Sequence, residues 1–227
     1  MTFKSFMKEL NGKDVEGEIV KAVFISVITS LILLGVLYFL ILKNVENLIP
    51  KYGFYLLFAV LSYAVIISSM RQVRAYKNFA CMSGMMIGMT IGMIAGFLPG
   101  FFIGATNGMF YGSVFGMGIG ILFGIWNGKC CGVMGVMEGT MAGFMGGLMG
   151  AMTSVMMIND NVKAAGVIVF VISGFILFGM SYMVYHETRE TKRQITEDQF
   201  LTIILSFILT LITVWIMVFG PRSVLFQ

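Results

Sequence analysis

Residues 84–132 read GMMIGMTIGMIAGFLPGFFIGATNGMFYGSVFGMGIGILFGIWNGKCCG, and a glycine occupies every fourth position. After a slip of one residue the same period resumes at Gly135, Gly139, Gly143 and Gly147. Positions four apart lie along one slowly turning stripe of an α-helix. A stripe without side chains lets another helix backbone approach closely, which is the small-xxx-small packing pattern of membrane helices. The stretch therefore predicts close-packed membrane helices with glycine-zipper (GxxxG) contacts.

The composition of the whole chain points to the same class of protein. Of its 227 residues 58% are hydrophobic and 11% are charged, and the mean hydropathy is +0.93. Soluble domains usually carry about 25% charged residues. We therefore predict an all-α polytopic membrane protein with a single transmembrane domain over residues 22–220. The net charge of +4 fits basic residues in short loops, so the predicted partner is the lipid bilayer and not nucleic acid.

Segment lengths set the predicted number of membrane spans. As one helix, residues 79–158 would be about 120 Å long, far more than the ~30 Å hydrocarbon core, so this region must turn back. The turn signals are Leu98-Pro99-Gly100 and the polar stretch 126–132, while Thr106-Asn107-Gly108 predicts a kink. We expect about seven transmembrane helices around a glycine-zipper central hairpin, with spans near 22–42, 52–70, 80–98, 101–126, 132–158, 164–185 and 199–219.

The two ends of the chain differ from the apolar region between them. Residues 1–21 are mixed and charged, with Phe3, Phe6 and Leu10 at helical spacing, which predicts a cytoplasmic amphipathic segment. Residues 223–227 resemble the remnant of a cleaved viral-protease tag site and carry no functional inference. With seven spans, most of the 15 lysines and arginines fall on the N-terminal side. We therefore predict a multi-pass protein of the cell membrane with its N-terminus in the cytoplasm.

Sulfur-containing side chains form the most distinctive pattern that could carry chemistry. At 100° per residue, the span 132–158 places seven methionines, from Met134 to Met156, on one side and glycines such as Gly135, Gly139 and Gly143 on the opposite side. Thioethers and thiolates select soft ions such as Cu(I), and Lys129 beside two adjacent cysteines favours their thiolate form. A second stripe opens the third span at Cys81, Met82, Met85, Met89 and Met93. The candidate metal ligands are Cys130, Cys131, Met134, Met137, Glu138, Met141, Met145 and Met149.

Two local resemblances agree with soft-metal chemistry. Methionines four apart, as at Met141 and Met145, together with Gly-xxx-Gly motifs, resemble the high-affinity copper transporters. The vicinal pair Cys130-Cys131 at a membrane segment resembles the small mercury transporters. The copper family has three spans and a methionine-rich extracellular start that this chain lacks, so we assign the chain to neither family.

Packing is the competing interpretation of the methionines, because methionine fills irregular gaps such as those left by glycine. Glu138 is the only acidic residue within a predicted span, and an ionisable group inside the membrane marks a candidate functional site by default. It could pair with Lys129 or hydrogen-bond to Asn107 or Asn127. The two asparagines could serve interhelical packing or, together with Glu138, line a pore.

The leading functional hypothesis is a membrane transporter, channel or carrier for a small inorganic ion. The best guess is a soft metal such as Cu(I), and no other cofactor is predicted. The chain shows no Ser-His-Asp set, His-rich metal motif or phosphate loop, so we do not expect an enzyme. Two alternatives remain open: a structural or accessory membrane subunit that packs through its glycine faces, as a homo-oligomer or with a partner subunit, and a pore for a non-metal solute.

Overall fold

The computed structural model describes residues 15–40, 52–76, 81–188 and 199–221. Most of the predicted amphipathic segment 1–21, and the whole of 223–227, lie outside these ranges. The described residues form seven α-helices, which confirms the all-α prediction. A short 3₁₀ turn, Lys129–Cys131, joins α4 to α5. The helices are α1 Val15–Leu40, α2 Phe54–Arg74, α3 Cys81–Asn107, α4 Met109–Gly128, α5 Gly132–Met156, α6 Val162–Thr188 and α7 Gln199–Phe219.

The reversal between α3 and α4 does not occur where the sequence predicted it. Helix α3 continues through Pro99, and the chain turns at the single residue Gly108. Gly108 has φ 104° and ψ 170°, a conformation that is nearly restricted to glycine. Neighbouring groups in membrane-type helices can satisfy the carbonyl that a proline leaves unpaired, so Pro99 does not end the helix. The chain reverses between α3 and α4 at Thr106-Asn107-Gly108, where the sequence predicted a kink.

Helices α3, α4 and α5 pack against one another backbone to backbone. A methyl group placed on Gly92 of α3 would lie 2.8 Å from the Gly139 carbonyl oxygen of α5 and 3.1 Å from the Gly124 Cα of α4. Similar approaches recur from Gly88 to Gly104, so the three helices meet along their whole length. The region predicted as a central hairpin is therefore a central three-helix unit.

The order of these contacts fixes the helix directions. Gly88, early in α3, lies beside Gly135, early in α5, whereas Gly104, late in α3, lies beside Ala151. Helices α3 and α5 therefore run parallel and at the same level. Helix α4 runs antiparallel to both, because its Gly112 lies against Gly104.

The four remaining helices pack on one side of this unit. Helix α2 contacts α1, α3, α6 and α7, and its large apolar side chains share a core with Phe101 and Phe102 of α3. Polar contacts link these helices: the Gln72 side-chain amide donates a hydrogen bond of 3.1 Å to the Ser181 carbonyl, and the Thr29 and Ser206 hydroxyls are 3.3 Å apart. Helix α5 packs chiefly on α3 and α4, so its other side forms the outside of the bundle.

Six of the seven described helices are long and apolar enough to cross a membrane. This agrees with a multi-pass membrane protein. The exception is α5, which was predicted as the fifth span. Its length of 25 residues would suffice, but glycines, threonines and Glu138 make it less apolar than its neighbours.

Candidate functional site

The exposed side of α5 carries the predicted sulfur row. Met137 and Met141 are each 67% exposed, and Met145 and Met149 are each 51% exposed. On the opposite side of the helix, glycines such as Gly139 and Gly143 are buried against α3 and α4. Because a side chain on that side would collide with neighbouring backbones, the long methionine side chains occupy the outer side. Met134 is also exposed, and its position places it on this row.

Helix α3 adds a second row of exposed methionines. They lie at positions 82, 86, 89 and 93, a spacing that keeps them on one side of a helix. The predicted stripe contained Met85 in place of Met86, but Met85 is partly buried and Met86 is 52% exposed. On a helix Met85 lies close to the stripe of Gly88 and Gly92, whereas Met86 lies away from it, and this angle was the signal that could have identified Met86. The side chain of Cys81 lies outside the described residues.

Together the two rows define one surface, which we call the methionine face. It comprises Met82, Met86, Met89 and Met93 of α3 and Met134, Met137, Met141, Met145, Met149 and Met152 of α5. Helices α3 and α5 are direct neighbours, since the Gly146 position of α5 lies against the Met93 backbone of α3. Neither row packs into the core that the described residues form.

The two cysteines lie in the turn that leads into α5. Cys131 is partly buried and immediately precedes Gly132, whose φ of 68° lets the chain enter α5. The Cys130 side chain is outside the described residues. Lys129 opens the same turn and is exposed. The turn therefore places Cys131 at the start of the helix that carries the longer methionine row.

Glu138 lies in the second turn of α5 and is partly exposed. Helix α4 passes beside it in the opposite direction, with Gly124 against Gly139. Glu138 therefore lies about one helical turn deeper in the bundle than Lys129, which follows Gly128. Glu138 lies between Met137 and Met141 in the sequence of α5, at the edge of the methionine face.

The structure separates the two asparagines that were grouped with Glu138. Asn107 is fully buried at the far end of α3, where its amide donates a 2.8 Å hydrogen bond to the Ile216 carbonyl and its oxygen accepts one from Thr106. It is not brought near Glu138. Asn127 is buried at the C-terminal end of α4 and donates a 2.9 Å hydrogen bond to the Phe123 carbonyl.

Within the described ranges, no group of three or more His, Cys, Asp or Glu side chains is placed to hold a metal ion. The sulfur atoms of the methionine face are thioethers, which are soft ligands. No protein-family model, curated protein or solved structure matches the chain.

Proposed function

We propose that the protein is an integral membrane carrier for a soft metal ion such as Cu(I), and that the methionine face is its ion-binding surface. The observation that supports this most is the position of the methionines. Had they served as gap-fillers beside the glycines, they would lie between the helices. They lie instead on the outside of α3 and α5, where they contribute little to packing within the chain.

The spacing of the thioethers suits an ion that is held weakly and passed along. Met137, Met141, Met145 and Met149 follow one another at intervals of four residues, so their Cβ atoms are about 5–6 Å apart. Neighbouring thioethers can share one soft ion, and each site resembles the next. The cysteines of the Lys129–Cys131 turn supply stronger ligands at one end of the row.

The proposal includes a membrane arrangement. We infer that α5 crosses the membrane beside α3 as a seventh span, because the two helices run parallel at one level. The close backbone contacts are of the kind found in glycine zippers, and they would hold α5 in place with few apolar side chains. Arg71, Arg74 and Lys129 mark the end of the bundle that we assign to the cytoplasm, together with the N-terminus.

A second candidate function is that of a subunit whose methionine face packs on another protein, either a second copy or a partner subunit. The observation in its favour is that α5, which carries the longer methionine row, is the one described helix that is not apolar enough to count as a membrane span. Methionine side chains are flexible and form adaptable binding surfaces. This candidate predicts a stable complex in mild detergent but no dependence on metal.

The experiment is a titration of purified protein with Cu(I) and with Ag(I), followed by elemental analysis. The test variant replaces Met141, Met145 and Met149 with leucine, which keeps the side-chain volume and removes the sulfur. The matched control replaces three buried core methionines, Met70, Met180 and Met217, with leucine. Volume-conserving exchanges of this kind usually cost less than about 1.5 kcal/mol each, so both variants should fold.

We expect the core control to bind as many ions per chain as the unmodified protein, and the surface variant, which keeps the cysteines and the other methionines, to bind fewer. Equal binding by the surface variant and the core control would contradict the proposal. No binding by any of the three, with a stable dimer or hetero-complex in mild detergent, would favour the subunit interpretation.

A further inference from the structure

A long groove lies between α4 and α7 on the outside of the bundle, away from the methionine face. Its volume is about 670 Å³, within the range of sites that hold organic ligands. Helices α4 and α7 contact each other little, while both pack on other helices, so a channel is left between them. The groove is lined by Val114, Phe115, Gly118, Ile119, Leu122, Phe123, Ile125, Trp126, Lys129, Leu205, Ile208, Leu209 and Ile212.

The walls of the groove are apolar over almost their whole length. Gly118 forms part of the wall, and a methyl group placed there would meet no atom within 4 Å. The α4 wall is about 22 Å long from Val114 to Lys129, which exceeds the ~15 Å depth of one leaflet of the hydrocarbon core. Leu122 and Ile208 are exposed at its rim, so the groove opens toward the bilayer. Its shape suits an extended hydrocarbon chain.

Among the described residues that line the groove, the charge lies at one end. Lys129 is the single charged residue of this described lining, and Trp126 lies one turn before it. The Arg74 guanidinium carbon is 4.6 Å from the centroid of a Trp126 ring, which brings a second cation to the same end. Tryptophan is typical of the membrane–water interface, and basic groups between helices at that level attract anionic lipid headgroups.

We propose that this groove is a binding site for an anionic phospholipid, with an acyl chain along α4 and α7 and the phosphate-bearing headgroup at Lys129. A zwitterionic lipid could fill the apolar part equally well. The charged end is what would distinguish the two lipids, because the lysine ammonium attracts the net negative charge of an anionic headgroup. This proposal does not depend on metal binding at the methionine face.

The test uses the fluorescence of Trp126 in full-length protein in mixed detergent–lipid micelles. The chain has two tryptophans, and Trp215→Phe leaves Trp126 as the only one. Phosphatidylglycerol or phosphatidylcholine, each dibrominated in its acyl chain, is titrated as quencher. We expect half-maximal quenching at about fivefold less phosphatidylglycerol, since one lysine near a membrane surface contributes about 1 kcal/mol.

Three further variants in the same background separate the parts of the proposal. Lys129→Gln should reduce the preference for phosphatidylglycerol, to the part that Arg74 supports, while quenching continues. Gly118→Leu should fill the groove and reduce quenching by both lipids. Gly174→Leu on α6 is the matched control, because Gly174 also has open space around it and does not line the groove, and it should change neither property. Equal quenching by the two lipids, an undiminished preference in Lys129→Gln, or equal effects of Gly118→Leu and Gly174→Leu would overturn the proposal.

Discussion

Replacing Gly96 with alanine tests the packing of the central three helices directly. A methyl group at Gly96 would lie 2.8 Å from the Gly143 carbonyl oxygen, 2.9 Å from the Gly147 nitrogen and 3.2 Å from the Gly116 carbonyl oxygen. All three atoms belong to the backbones of α4 and α5, so no side chain can rotate away. Ordinary contact begins near 3.4 Å, and the helices would have to separate by about 0.6 Å.

The expected cost follows from this displacement. Forcing an extra methyl group into a well-packed core typically costs about 1–3 kcal/mol. The control is Gly118→Ala on α4, where the added methyl meets nothing within 4 Å. In a helix this control should be neutral or stabilising by up to about 1 kcal/mol, because alanine restricts the unfolded chain.

The assay is thermal unfolding of both variants in the same detergent, read from tryptophan fluorescence and from the monodisperse fraction after heating. Gly96→Ala should unfold at a clearly lower temperature than the unmodified protein, and Gly118→Ala should not. If the two variants unfolded at the same temperature, the three backbones could not be in the close contact described above.

Three other predictions concern the turn, the acidic residue and the topology. Gly108→Ala should lower the free energy of unfolding by about 1–3 kcal/mol, because the positive φ with extended ψ at this position is nearly restricted to glycine. An unchanged melting temperature would argue against the one-residue turn. Glu138→Gln should weaken Ag(I) binding by up to about fivefold without changing the melting temperature, since a partly exposed charge contributes up to about 1 kcal/mol to an ionic interaction. A lower melting temperature with unchanged Ag(I) binding would indicate a structural role instead. With the three native cysteines replaced, Asp160→Cys in the exposed α5–α6 connection should react with an impermeant maleimide added outside intact cells, and protection there would reverse the proposed orientation.

The all-α class could be predicted from the sequence because it depends on the composition and on the four-residue repeat of glycine. The glycine period also indicated which side of α5 would be buried, since only that side lacks long side chains. The position of the α3–α4 turn could not be found in this way. Pro99-Gly100 is a strong turn signal in soluble proteins, whereas the reversal at Gly108 depends on how α3 and α4 pack together.

The candidate sites were likewise predictable only where they depend on local sequence. The methionine row of α5 follows from the helical period, so its position opposite the buried glycine side was predictable, but whether a further helix would cover the row was not. The separation of Asn107 from Glu138 depends on the parallel run of α3 and α5. The groove between α4 and α7 joins residues about 90 positions apart in the sequence and has no local signal, apart from the tryptophan and lysine at its end.

The most direct test of soft-metal binding at the methionine face is X-ray absorption at the copper edge of Cu(I)-loaded protein. The unmodified protein is compared with Cys130→Ser/Cys131→Ser and with the Met141, Met145 and Met149 leucine variant. The proposal predicts copper surrounded by sulfur in the unmodified protein, sulfur ligands that persist in the cysteine variant, and less bound copper with fewer sulfur ligands in the methionine variant. Copper bound only through nitrogen or oxygen, or sulfur coordination unchanged by the methionine replacements, would contradict it.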